Sequence, residues 1–326
     1  MSNKWLIGCL ALSACFPFLF PNDYLIHIMV MAGINIILVL SLNIITGFTG
    51  QVSLGHAAFF GIGAYFSAIM AQQGLPVWVA MILAVLVAAL FGFLIGFPVL
   101  RLQGHFFAIA SLGFCEIVHI VFNNWIDVTR GPMGLTGIPR PEAFFAFDFT
   151  SKTHYYYLIL LMICLVTYLS HRIKFSKMGR ALLAIKTDEI TAKAMGVHVT
   201  YYKVSAFVWS AAVAGLAGTF YAHFILFLSP ETFQTSMSVN ILLMLLIGGV
   251  GSIYGSIMGA MFVTLLSEYL REFMQYQMLV YGILIVIIVI FAPKGISGLS
   301  SMLHRWLPQT WAKENKKVTL NREREV

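Results

Sequence analysis

Charge is scarce in this chain. Only 10% of its 326 residues are Asp, Glu, Lys or Arg, while 60% are hydrophobic and the mean hydropathy is +0.87. A soluble domain carries about 25% charged residues, so an ordinary soluble fold is excluded and the chain belongs in a bilayer. Strand-type alternation is lacking too: the apolar runs are continuous, which excludes a porin-like barrel and leaves helices. Cysteine is sparse. Cys9, Cys15, Cys115 and Cys164 lie in apolar runs with no Cys-x-x-Cys spacing, so neither a disulfide framework nor a zinc site is indicated. No Gly-x-x-x-x-Gly-Lys-Ser/Thr segment is present, and no Ser/His/Asp or paired-carboxylate arrangement stands out. The chain is therefore expected not to be an enzyme and to bind no cofactor or metal itself. Its energy must come from an ion gradient or from another subunit. The net charge of +7 does not point to nucleic acid, because the basic residues cluster at 172–203 and after Pro293, as orientation in a bilayer demands.

What is present is apolar sequence, interrupted. It predicts an all-α polytopic membrane protein of about ten transmembrane helices: 5–20, 24–45, 53–71, 76–97, 105–126, 154–170, 204–226, 239–247, a ninth from the break at 248–255 to about 270, and 277–292. Leu12-Ser13-Ala14-Cys15 looks like a lipoprotein cleavage box, but the apolar run continues past Cys15, so an uncleaved first helix is expected. With both termini cytoplasmic, sixteen of the twenty lysines and arginines fall on the inner side, and only Arg130, Arg140, Lys152 and Arg271 fall outside. The membrane domain is then 1–292, with a periplasmic loop at 127–153, a cytoplasmic loop at 172–203 and a charged cytoplasmic tail at 293–326.

The stretch that looks wrong for a membrane helix is Thr46-Gly47-Phe48-Thr49-Gly50-Gln51-Val52-Ser53-Leu54-Gly55-His56. Its glycines free the backbone from helix, and its small polar side chains can replace lost backbone hydrogen bonds. Such a segment is tolerated at membrane depth where it is buried in protein or lines a wet cavity. Thr49, Gly50, Gln51, Ser53, Gly55 and His56 are thus candidates for the lining of a solute pathway, or for capping and packing. The new helix start near Ser53–His56 would attract anionic groups through its N–H groups. A second break, Gly248-Gly249-Val250-Gly251, echoes the first in the other half, and paired interruptions point to a transporter's midplane site.

Glu116 lies mid-helix, where an acidic side chain costs on the order of 3 kcal/mol and so needs a partner or water. It lines the pathway, holds a gate through His119 or Asn123, or only makes a packing hydrogen bond between helices. Glu116-x-x-His119 has di-iron spacing, but the second motif that such a site needs is absent. In the inner loop, Asp188-Glu189-Ile190-Thr191-Ala192-Lys193-Ala194-Met195-Gly196 reads as a short helix stopped by Gly196. Ile190, Ala194 and Met195 either present an apolar knob to a partner or rest on lipid.

The segment from Thr46 to Tyr65 resembles the signature of branched-chain amino-acid ABC transporter permeases of the larger, M-type class. So do Gly131-Pro132-Met133-Gly134-Leu135-Thr136-Gly137-Ile138-Pro139, Gly179-Arg180-Ala181-Leu182 with Ala194-Met195-Gly196, and Gly248-Gly249-Val250-Gly251-Ser252. The likeness spans about residues 38–295. It implies a permease subunit of an ATP-driven importer in the bacterial inner membrane. The implied partners are a homologous second permease, two cytoplasmic ATP-binding subunits that carry the ATP, a periplasmic substrate-binding protein and membrane lipid. It further implies that Asp188, Glu189, Ala192, Ala194, Met195 and Gly196 form the helix that docks into the ATPase, although Thr191 stands beside Ala192 and Glu189 comes one residue early. Members of the family carry branched-chain amino acids, but also urea or short amides. Outside the family, an ion-coupled secondary transporter with Glu116 as the ion site is the alternative.

Overall fold

The structure is a computed structural model that describes residues 16–17, 22–102, 104–142, 149, 151–271, 279–283, 286, 295–296 and 298. Most of the predicted first helix and of the tail lies outside the described residues, as does most of 277–292. The described helices are α1 (Asp23–Leu42), α2 (His56–Gln72), α3 (Val77–Val99), α4 (His105–Asn124), α5 (Ile126–Thr129), α6 (Lys152–Phe175), α7 (Lys177–Thr187), α8 (Glu189–Ala194), α9 (Val199–Ile225), α10 (Thr235–Gly248) and α11 (Ile253–Tyr269). The eight predicted spans between 24 and 270 correspond to α1, α2, α3, α4, α6, α9, α10 and α11, so the chain is a multi-pass helical membrane protein.

Five of these are long and apolar enough to cross a bilayer: α1 with its following turn, α3, α4, α6 and α9. The other three, also expected as transmembrane helices, are shorter. α2 and α11 have 17 residues and α10 has 14. At 1.5 Å per residue they fall short of a hydrocarbon core about 30 Å thick. The reason is the glycine-rich breaks, which separate α1 from α2 and α10 from α11.

Packing follows side-chain size. Along α3, Ala80, Ala84, Ala88, Gly92 and Gly96 recur every fourth residue and are buried, while Ile82, Leu86, Leu90 and Leu94 on the other side are exposed. The small stripe lets α9 approach closely: a Cβ on Gly92 would come within 2.6 Å of Ala211, and one on Gly96 within 2.7 Å of Phe207. α9 also meets α2 backbone to backbone. A Cβ on Gly63 would lie 2.2 Å from the Gly215 carbonyl oxygen, and one on Gly218 only 2.0 Å from that of Phe60. α1 is capped by Asn22, whose side chain accepts from the Tyr24 amide, and its C-terminal half is buried on every face.

The loop after α4 is not wholly irregular. Leu135–Thr136 pairs antiparallel with Phe227–Leu228 after α9, in the register Leu135↔Leu228. His223 ties the same loop down: its Nδ1 meets the Pro139 carbonyl at 2.7 Å and its Nε2 meets the Ser67 hydroxyl at 2.8 Å. This pairing is a small departure from the all-α expectation.

Candidate functional site

The first break begins earlier than its glycines suggest. α1 runs into a π-helical turn, Asn43–Gly47, and Gly50 then takes the left-handed conformation (φ +78°) before α2 starts at His56. The second break follows α10, with Gly249 at φ +113° and Gly251 at φ +84°. The two breaks meet. The Gly251 amide donates to Asn43 Oδ1 at 2.8 Å, and a Cβ on Gly47 would stand 2.0 Å from that oxygen and 3.0 Å from Gly251 Cα. Only glycine at 47 leaves room for Asn43 to reach across. Of the candidates in the second break, Gly248 packs against the Gly255 backbone, and Ser252 caps α11 by accepting from the Gly255 amide.

Two lysines from the α6–α7 segment grip this junction. Lys186 Nζ donates to the Gly47 carbonyl and Lys174 Nζ to the Gly251 carbonyl, each at 2.8 Å. Lys174 also lies 5.7 Å from the centre of the Phe48 ring. The sequence pattern counted both lysines only as charges that set orientation.

The polar side chains of the first break divide into two groups. The first is fully committed. Thr49 Oγ1 donates to the Ile45 carbonyl and accepts from the Gln51 amide. His56, with no exposed surface, lies between Ser53 Oγ (3.1 Å, Nδ1) and Ser210 Oγ (2.7 Å, Nε2). Because Ser210 gives its hydroxyl proton to the Ser41 carbonyl, it accepts from His56 Nε2–H, which leaves Nδ1 to accept from Ser53. The start of α2 is likewise occupied. The Leu54 amide donates to Ser111 on α4, that of Gly55 to Ser53, and that of Ala57 to Ser238 on α10. These amides serve capping and packing in this conformation rather than an anion. The second group has no such partners. Asn43 Nδ2, Thr46 Oγ1 and both amide atoms of Gln51 are buried without a hydrogen bond among the described residues. Buried groups of that kind call for water or a polar solute.

Glu116 and Asn123 lie apart from the junction, on α4. Glu116 keeps half its side chain exposed, accepts from Thr235 Oγ1 at 3.3 Å, and stands 3.6 Å from His119 Nδ1, too long for a hydrogen bond. Its neighbours Ile109, Ile117 and Ile120 face outward, so an acidic group here sits at the edge of an otherwise apolar surface.

The short helix of the inner loop forms as α8. Asp188 caps it, accepting from the Ile190 and Thr191 amides and from the Thr191 hydroxyl. Those bonds, the hydroxyl's above all, hold the Asp188 carboxyl below its ordinary range. Gly196 closes the helix at φ +83°. Ile190 and Met195 are about four-fifths exposed and Ala194 is exposed, whereas Ala192 is buried. Glu189 does not join the exposed knob. It pairs at 2.6 Å with Lys203 of α9, whose side chain is 3% exposed. Glu189→Gln strands that ammonium, and we expect a stability loss of about 2 kcal/mol in a detergent thermal melt. The figure is below the ~3–5 kcal/mol of a fully buried pair because Glu189 is one-third exposed. An unchanged midpoint would refute this.

The family model described as "Branched-chain amino acid transport system / permease component" matches residues 24–289, which include both breaks and the lysine-bearing segment. The chain belongs to this permease family. Among the relatives of this permease, the "High-affinity branched-chain amino acid transport system permease protein LivM" of Salmonella typhimurium strain LT2 is 36% identical over 315 residues, covering 90% of this chain and 74% of that protein. Its counterpart in Escherichia coli strain K12 is 35% identical with the same coverage. The permease protein LivH of Salmonella typhimurium is 25% identical over 283 residues, 78% of this chain and 88% of LivH. No solved structure matches the chain. The sequence resemblance to branched-chain amino-acid permeases is thereby borne out, and the chain is a transport subunit of the same kind.

Proposed function

We propose that this permease carries branched-chain amino acids across the bacterial inner membrane as one half of a permease pair. The other half is a second, homologous permease, and import is driven by ATP hydrolysis on two cytoplasmic ATP-binding subunits and supplied by a periplasmic binding protein. The observation that carries the reading is the meeting of the two helix breaks, the first of which holds buried polar atoms of Asn43, Thr46 and Gln51 that find no partner among the described residues. A permanently dry core does not keep such groups. A path that admits water and a zwitterion in turn does. Residues 172–203 and the tail face the cytoplasm, and 127–153 faces the periplasm. Glu116, half-exposed at the edge of the apolar outer face of α4, is read here as facing the second permease.

α8 is the contact with the ATPase. Its cap and the Lys203–Glu189 pair fix its base, and Ile190 and Met195 present an apolar tip. The test is uptake of labelled leucine into proteoliposomes holding the reconstituted complex. Uptake should stop when the ATPase is disabled and continue in the presence of a proton uncoupler; the reverse pattern would point to an ion-coupled transporter. Met195→Glu should lower solute-stimulated ATPase activity at least about tenfold, the scale of an interface hot spot, without changing the thermal midpoint of the permease. Undiminished stimulation would assign this face of α8 to the lipid surface instead.

A further inference from the structure

The carbonyl of Gly47, at the end of the π turn, and that of Gly251, in the loop between α10 and α11, converge at the junction, and helix-end and loop carbonyls attract cations. In ion-coupled transporters unwound carbonyls of this kind hold Na⁺. Here the position is filled from within the chain. Lys186 Nζ sits on the Gly47 carbonyl at the end of the π turn, and the open face of Gly251 lies beside the same ammonium, where an added Cβ would come within 3.8 Å of it. Lys174 Nζ takes the Gly251 carbonyl. Neither lysine has a carboxylate partner among the described residues; Lys174 is half-buried and Lys186 exposed along its stem, and each ammonium is held by the carbonyl it donates to. Lys186 stands two residues before Asp188, the cap of α8, and Gly50 rests on its stem, with Lys186 Cγ 3.1 Å from where a Cβ would be.

We propose that Lys186, assisted by Lys174, is a tethered cation that closes a carbonyl site between the two helix breaks, and that it is the positioning residue through which displacement of α7 and α8 reaches the pathway. The second half of this statement rests on the importer reading above; the first does not. When α8 moves, the ammonium moves with α7, and the Gly47 and Gly251 carbonyls lose the charge that holds them together. No dissolved ion is needed, because the segment that contacts the partner carries the cation itself.

Hydrogen exchange on the full-length permease in nanodiscs tests the site independently of transport. Lys186→Ala should speed exchange in peptides covering 43–56 and 245–256 by about tenfold or more, the scale of a hydrogen bond to a charged donor. Excess methylammonium, which can refill the vacated space and donate, should restore protection. Tetramethylammonium, which cannot donate, should not. Unchanged exchange in the variant, or raised exchange that methylammonium leaves untouched, overturns the cation site. If Lys186→Ala is not recovered, Lys186→Met reads the same exchange, and Lys186→Arg must keep the protection for the proposal to stand. In the reconstituted complex, Lys186→Ala should keep basal ATPase activity while leucine taken up per ATP falls at least about tenfold, with partial recovery in methylammonium. A normal ratio alongside methylammonium-sensitive exchange would overturn the transmission role alone. Absence of ATP-driven uptake in the unmodified complex would sink the importer reading and leave the exchange result standing.

Discussion

Gly218→Ala should cost the permease its fold. The added methyl would lie 2.0 Å from the Phe60 carbonyl oxygen and 2.8 Å from the Ala64 amide nitrogen, both backbone atoms of α2 that no rotamer can move. Relief requires α9 and α2 to part, which opens the aromatic core around Phe59, Phe60 and Phe207. The expected loss is more than ~3 kcal/mol, above the usual overpacking range of about 1–3 kcal/mol. Helix propensity alone predicts the opposite sign, since alanine is favoured over glycine in a helix by about 1 kcal/mol. Gly113→Ala on α4 supplies the contrast: no other part of the described residues lies within 4 Å of its added Cβ, so that variant should be neutral or stabilised. Fluorescence-detected size exclusion after a temperature ramp would separate the two. Equal midpoints would mean that the α2–α9 contact is looser than described.

Gln51→Leu should separate stability from transport. The side chain is buried, and neither its amide oxygen nor its nitrogen finds a partner among the described residues. Leaving such a group unsatisfied costs about 1–3 kcal/mol, which an apolar replacement of similar shape recovers. The thermal midpoint should therefore hold or rise while leucine uptake falls at least about tenfold. A variant that loses stability and transports normally would make Gln51 a packing residue and nothing more. Thr49 offers the comparison within the same turn: its hydroxyl already serves the Ile45 carbonyl, so Thr49→Val should lose stability first.

Glycine and small polar residues within apolar sequence marked both breaks, because those residue types are expelled from an ordinary membrane helix. Their contact with each other was not visible in the sequence. Asn43 looks like one polar residue near the end of a hydrophobic run, and only the missing side chain at Gly47 lets it reach an amide 208 residues away. Lys174 and Lys186 were hidden by a reading that was itself sound: a basic cluster orients a membrane protein whatever its individual members touch. Ser111, Ser210 and Ser238 cap or clamp the first break from three other helices, and a lone serine in a membrane helix carries no mark of that role. The every-fourth small stripe of α3 could have been found by periodicity alone, since the opposite positions are uniformly large. Glu189 is named in the sequence only as part of the docking helix that the resemblance implies. Its true partner, Lys203, lies beyond the following turn.

The π turn at Asn43–Gly47 holds one residue more than an α-helix would place in the same length. If that residue is surrendered to regular helix, everything beyond it turns by about 100° about the α1 axis. Thr46 and Phe48 would change faces together, and the oxygen of Gly47 would swing off the Lys186 ammonium. Conversion between the two forms would be a single discrete step, set by the arithmetic of the helix rather than by a flexible loop.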